Sequence, residues 1–162
     1  MAKFFLLLGA VLVMAHSCNG GSLWEQTKSW QNDALYDNGT AQLAGQTIKI
    51  DVVKSEADRE RGLAGRTGIE DSQGMLFLFD QTAPHAFWMK GMVFPIDIVW
   101  IKNKKVVDIV ANAPIVTNPK GDGDYPIYEP KSDADSVLEL KAGWARQYNL
   151  QIGSEISVNL NK

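Results

Sequence analysis

Cysteine and histidine are nearly missing from this chain: Cys18 is the one thiol in 162 residues, and His16 and His85 are the two imidazoles. A single thiol excludes an internal disulfide framework and every cysteine-based zinc or iron–sulfur centre. His16 lies at the end of an N-terminal apolar run, which leaves His85 for a folded domain, and no Gly-x-Ser-x-Gly elbow offers it a serine. An excess of positive charge is also missing. Sixteen Lys and Arg against 19 Asp and Glu give a formal charge of −3, with no basic stripe, so nucleic acid is not expected as a partner. Long hydrophobic runs are missing too: the longest, Phe4 to Ala15, covers only about 18 Å as a helix, against about 30 Å of bilayer hydrocarbon.

That short run, preceded by Lys3 and followed by His16-Ser17-Cys18, has the pattern of an export signal. Removing residues 1–17 leaves 162 − 17 = 145 residues, a suitable length for one domain, and losing Lys3 takes the charge from −3 to −4. Two kinds of processing fit the Ser17–Cys18 bond. Cleavage before Cys18 matches a bacterial lipoprotein, whose thiol carries the lipid; an ordinary signal-peptidase site after Ser17 would leave Cys18 a bystander. The chain is therefore expected in the cell envelope, on the periplasmic or extracellular face, held to the membrane through Cys18. Residues 18–45, polar and Gly-containing around Trp24, Trp30 and Tyr36, lack sustained periodicity and read as a flexible tether.

The folded domain is expected over residues 46–162. Ile48, Ile50 and Val52 alternate with Lys49 and Asp51 in the two-residue period of a half-buried strand. Ser55 with Asp58 approximates a capping box for a short helix from Glu56 to about Leu63, which Gly62 and Gly65 end. Met75–Phe79 and Ala86–Met89 read as buried strands, and Lys102-Asn103-Lys104 as the turn of a hairpin. A long loop, Asn112 to Asp135, precedes a strand at Ser136–Lys141, a helical turn near Gly143–Tyr148 and a closing strand at Glu155–Leu160. The fold class is mainly β, at the margin of α+β: a small single-domain β-sandwich or partly closed barrel with one or two short helices.

Four blocks stand close together: Glu60-Arg61-Gly62-Leu63, Gly74-Met75-Leu76-Phe77, Phe87-Trp88-Met89-Lys90 and Pro95-Ile96-Asp97. In this order they resemble the bacterial and archaeal family catalogued as domain of unknown function 192. Asn112-Ala113-Pro114, Val137-Leu138-Glu139, Gly143 and Gly153 extend the resemblance over about residues 47–160. It implies a compact β-rich domain, and no established activity. The chain departs from the family pattern at Ala64, where Met is frequent, at Gly91, where Asn is common, and at Ser154, where Asp is frequent.

Three chemistries fit the residues present. A carboxylate pair for hydrolysis would be Asp97 and Glu139, each set in an apolar strand where burial can separate two pKa values; strand alternation or pairing with a basic residue accounts for both acids equally well. A copper site would draw on His85, Met89 and Met92, although methionine also fills core gaps. A binding module is the preferred reading. Alternation along His85–Lys90 puts Trp88 and Lys90 on the face away from Phe87 and Met89. Trp88, Lys90, Arg61 and Arg66 would then border a groove, with Tyr125 and Tyr128 of the long loop as its other wall. The ligand would be a small molecule or an envelope component, and no cofactor is implied.

Overall fold

The computed structural model describes residues 36–161. The expected export signal, Cys18 and the first part of the expected tether lie outside the described residues. Among the described residues no helix is long and apolar enough to cross a membrane.

Nine strands form among the described residues, in chain order β1 (Asp37–Leu43), β2 (Gln46–Val53), β3 (Gln73–Ala83), β4 (Phe87–Trp88), β5 (Ile96–Lys102), β6 (Lys105–Ala113), β7 (Ile127–Tyr128), β8 (Ala134–Lys141) and β9 (Ile156–Leu160). Seven make one sheet in the order β6-β5-β8-β3-β2-β1-β9, while β4 and β7 make a separate two-stranded ribbon. Among the described residues two short α-helices, α1 (Glu56–Arg61) and α2 (Trp144–Gln147), complete the mainly β domain.

Local chemistry accounts for the connections. The Ser55 side chain accepts from the Asp58 amide and starts α1, and Gly62 ends it at φ 49°. Asn103 and Lys104, at φ 50° and 62°, turn β5 into β6, the paired positive φ values that suit the right-handed twist of a hairpin. β2 and β3 run parallel, so α1 and the following loop form the crossover between them.

The sheet has two apolar faces. Residues on its inner face, among them Ile48, Ile50, Leu76, Val99, Leu138 and Ile156, pack with Trp144 of α2 into one cluster drawn from all seven strands. Such sharing requires a strongly curled sheet. At one end its edges touch, where Val106 donates to Ser154 and Ile156 to Lys104; the sheet as a whole is not closed into a barrel. The outer face of β3, β5 and β8 packs a second cluster, including Met75, Phe77, Ile98, Trp100 and Val137, beneath Leu63 and Met89.

One boundary is corrected. The tether expected through residue 45 ends earlier, because Asp37–Leu43 pairs with both β2 and β9 as a strand inside the sheet. Its inward positions Gly39, Ala41 and Leu43 are small or apolar and buried, a weak alternation within a polar stretch. Gly39 is required there: a Cβ at this position would lie 2.4 Å from the Asn159 carbonyl oxygen. The expected Ala86–Met89 strand also differs. Only Phe87–Trp88 is extended and paired, in the ribbon rather than the sheet.

Candidate ligand-binding face

The outer face begins with Trp100 on β5. Its indole N–H donates to the His85 carbonyl at 2.8 Å, which anchors the chain just before β4. Phe87 then wedges inward, meeting Phe77 edge-on at 5.0 Å and Trp100 at 6.2 Å between ring centroids. With Phe87 turned in, its neighbour Trp88 must turn out, and Trp88 is 41% exposed. β7 pairs antiparallel with β4 and sets Ile127 opposite Trp88 and Tyr128 opposite Phe87. Thus the long loop delivers Tyr128 toward the core and Ile127, 57% exposed, to the outside.

Around Trp88 the outer surface of the ribbon is ordered by polar contacts. Lys90 Nζ lies 4.9 Å from the centre of the Trp88 ring and pairs with Asp122 at 2.8 Å. Tyr125 meets Trp88 edge-on at 6.3 Å. The expected association of Trp88 and Lys90 with Tyr125 and Tyr128 is therefore present, although Tyr128 serves as a support. Ile127 and Asp122 had no signal of their own in the sequence, since their place depends on pairing across 32 or more residues of chain.

Arg66 and Arg61 occupy other positions. Arg66 pairs with Asp51 of β2 at 2.7 Å and lies 6.0 Å from the Tyr36 ring. These three line a trough of about 530 Å³ on the outer face of β1, β2 and β3, together with Lys49, Gln73 and Asn161. Arg61 is exposed at the end of α1 and does not line it. Between the trough and the ribbon, the Gly65 amide donates to the Gly91 carbonyl at 3.4 Å, and Leu63 shares the outer apolar cluster with Phe87 and Met89. Two departures from the family pattern are in contact here: a Cβ on Gly91, whose φ is 73°, would lie 3.1 Å from the Ala64 Cβ.

The carboxylate pair is not assembled. In the β5–β8 register Asp97 faces Leu140 and Ile98 faces Glu139, which puts the two acids on opposite faces of the sheet. Asp97 serves the fold. One oxygen accepts from the Asn112 amide at 2.7 Å and the Gly143 amide at 2.9 Å, the other from the Ala145 amide at 2.8 Å, so the carboxylate holds the start of α2 against β5 and β6. Glu139 is buried in the outer face between Met75 and Ile98, and its Oε2 is the one buried side-chain polar atom without a partner among the described residues. Burial pushes its pKa up to about 8, while the Arg66 charge pulls it down less strongly.

The candidate copper ligands take packing roles in this arrangement, with Met92 partly buried against the outer apolar cluster. Met89 is fully buried in the outer apolar cluster. The His85 ring stacks on Phe79 with centroids 3.5 Å apart and donates from Nε2 to the Gln81 carbonyl at 2.9 Å. Among the described residues, no group of three or more His, Cys, Asp or Glu side chains is placed to hold a metal ion. Asp122 and Asp124 sit in a 3-10 turn where one pairs with Lys90 and the other accepts from the Lys120 amide.

Fold and site together define a small β-rich domain with a polar trough and an aromatic ribbon on one side of a curled sheet. The chain belongs to the DUF192 family, an uncharacterized ancient conserved region, which it matches over residues 39–158. Two solved structures are similar. One, from Sinorhizobium meliloti 1021 and provisionally described as a transcription regulator, is 26% identical with a TM-score of 0.67, covering 76% of this chain and 95% of that one. The other, a protein of unknown function from Novosphingobium aromaticivorans DSM 12444, is 25% identical with a TM-score of 0.65, covering 74% and 83%. No curated protein matches the chain.

Proposed function

We propose that this protein is exported, anchored to the envelope membrane by a lipid on Cys18, and binds an extended envelope component across the outer side of the β4–β7 ribbon. The observation that carries the reading is the exposure of Trp88 and Ile127 side by side, with Lys90 and Tyr125 against the indole. An indole held by its neighbours loses little freedom when a ring or chain stacks on it, and Lys90 adds a donor for hydroxyl or anionic groups beside the stack. The anchor rests on the apolar run ending in Ser17-Cys18. The transcription-regulator description belongs to the Sinorhizobium protein; with a formal charge of −3 and no basic stripe, nucleic acid is not the partner proposed here.

Two measurements test this reading. The denatured mass of protein isolated from its own membrane should equal the chain from Cys18 plus lipid, and a bare mass would remove the anchor. For binding, a Cys18→Ala variant is incubated with washed wall polysaccharide and sedimented. Trp88→Ala in that background should lower the retained fraction about tenfold or more, whereas equal retention would remove the ribbon from the binding surface.

A further inference from the structure

The trough beside β1 and β2 is a second, separate surface. Its volume of about 530 Å³ falls within the roughly 300–1,000 Å³ of small-molecule pockets. Its wall is mostly polar. Asn38 and Thr40 lie on the outward positions of β1, Lys49 and Asp51 on those of β2, and Gln73 on β3, with Asn161 at the far side. Amide and hydroxyl groups of this kind both donate and accept, which suits a ligand bearing many hydroxyls. Tyr36, Ile50, Leu63 and Ile69 supply the apolar part of the wall.

Charge narrows the ligand class. Lys49 and Arg66 stand against Asp51 alone among the acids lining the trough, a formal excess of one positive charge. Arg66 is also positioned in advance: Nη2 donates to Asp51 Oδ2 at 2.7 Å with the side chain only 18% exposed. Its fork therefore meets an anion with little further ordering. Glu139, the nearby acid behind β3, is buried with an unpartnered Oε2 and carries little negative charge at neutral pH, so it does not cancel that excess.

We propose that this trough binds an anionic saccharide, with the acidic group held by Arg66 and Lys49 and the hydroxyls by Asn38, Thr40, Gln73 and Asn161. The site is independent of the ribbon, and its occupant need not be the component that stacks on Trp88.

Titration calorimetry of the full chain at low ionic strength, with glucuronate, glucose 6-phosphate and glucose as probes, tests it. At least one anion should bind about tenfold or more tightly than glucose, and the preferred anion tells whether the recognised group is a carboxylate or a phosphate. Arg66→Gln should lose that preference. Because Arg66→Gln also breaks the pair with Asp51 and can disturb folding, Lys49→Gln serves as the second variant; it leaves the pair intact and should weaken the anion several-fold. Trp88→Ala should leave the affinity unchanged, which separates this site from the ribbon. Equal or absent binding of all three probes overturns the proposal, as does an anion affinity that Lys49→Gln does not alter.

Discussion

Asp97 and Glu139 sit on neighbouring strands, both buried, yet the two faces of the sheet treat them oppositely. On the inner face Asp97 receives three backbone N–H groups from two segments and closes the β5–β6 end of the domain. On the outer face Glu139 has an oxygen with no partner and a pKa pushed up to about 8. The inner carboxylate is a structural tie whose charge is compensated by oriented donors. The outer one is an acid kept neutral at a cost, below the side of the sheet that also bears the trough and the exposed indole. The unpartnered oxygen of Glu139 and the exposed pair Trp88 and Ile127 thus fall on the same side, although Ile152 and, on β9, Val158 and Leu160 are exposed elsewhere.

The strongest way to break the comparison is Asp97→Ala. Leaving three buried amides without their acceptor should cost about 3–5 kcal/mol in urea unfolding; a loss below about 1 kcal/mol would mean that the amides find other partners and the inner face is no better satisfied than the outer. Glu139→Gln should act in the opposite direction, and its effect should depend on pH. The folded-state pKa of about 8 lies above the ordinary 4.5, so between these values the native state holds a proton that the unfolded chain releases. The contribution of Glu139 to wild-type stability should therefore be full below pH 4.5 and fall as pH rises toward 8. The Gln variant should match wild type near pH 4.5 and exceed it near pH 8 by on the order of a few kcal/mol. Parallel stability profiles for the two proteins would show that Glu139 is already ionised or solvated.

Smaller effects belong to the ribbon. Trp88→Ala should change unfolding stability by about 1 kcal/mol or less, as expected for a half-exposed side chain, while reducing retention on wall polysaccharide; a larger loss of stability would make the indole a core residue in energetic terms. Asp122→Ala, which removes the exposed partner of Lys90, should shift stability least, by less than about 1 kcal/mol, and become undetectable in high salt.

Much of this fold could be read in the chain. The period of Ile48, Ile50 and Val52, the Ser55 cap and the Lys102-Asn103-Lys104 turn correspond to β2, α1 and the β5–β6 hairpin. Alternation about Phe87 also predicted the outward turn of Trp88, whereas Lys90 reaches that side from the turn after β4. β1 was less legible, because Gly39, Ala41 and Leu43 form too weak a stripe to stand out from Asp37, Asn38, Thr40 and Gln42; it becomes a strand because β2 and β9 supply partners on both sides.

The sequence by itself determined a mainly β domain, its main punctuation and the outward turn of Trp88, since each depends on residues a few positions apart. Only the tertiary structure decided that Asp97 and Glu139 part to opposite faces, that Arg66 leaves Trp88 for a trough with Asp51, and that Ile127 and Asp122 join the ribbon. Each of those outcomes depends on strand register and on contacts between segments distant in the chain, and a one-residue change of register carries a side chain through the sheet to the other face.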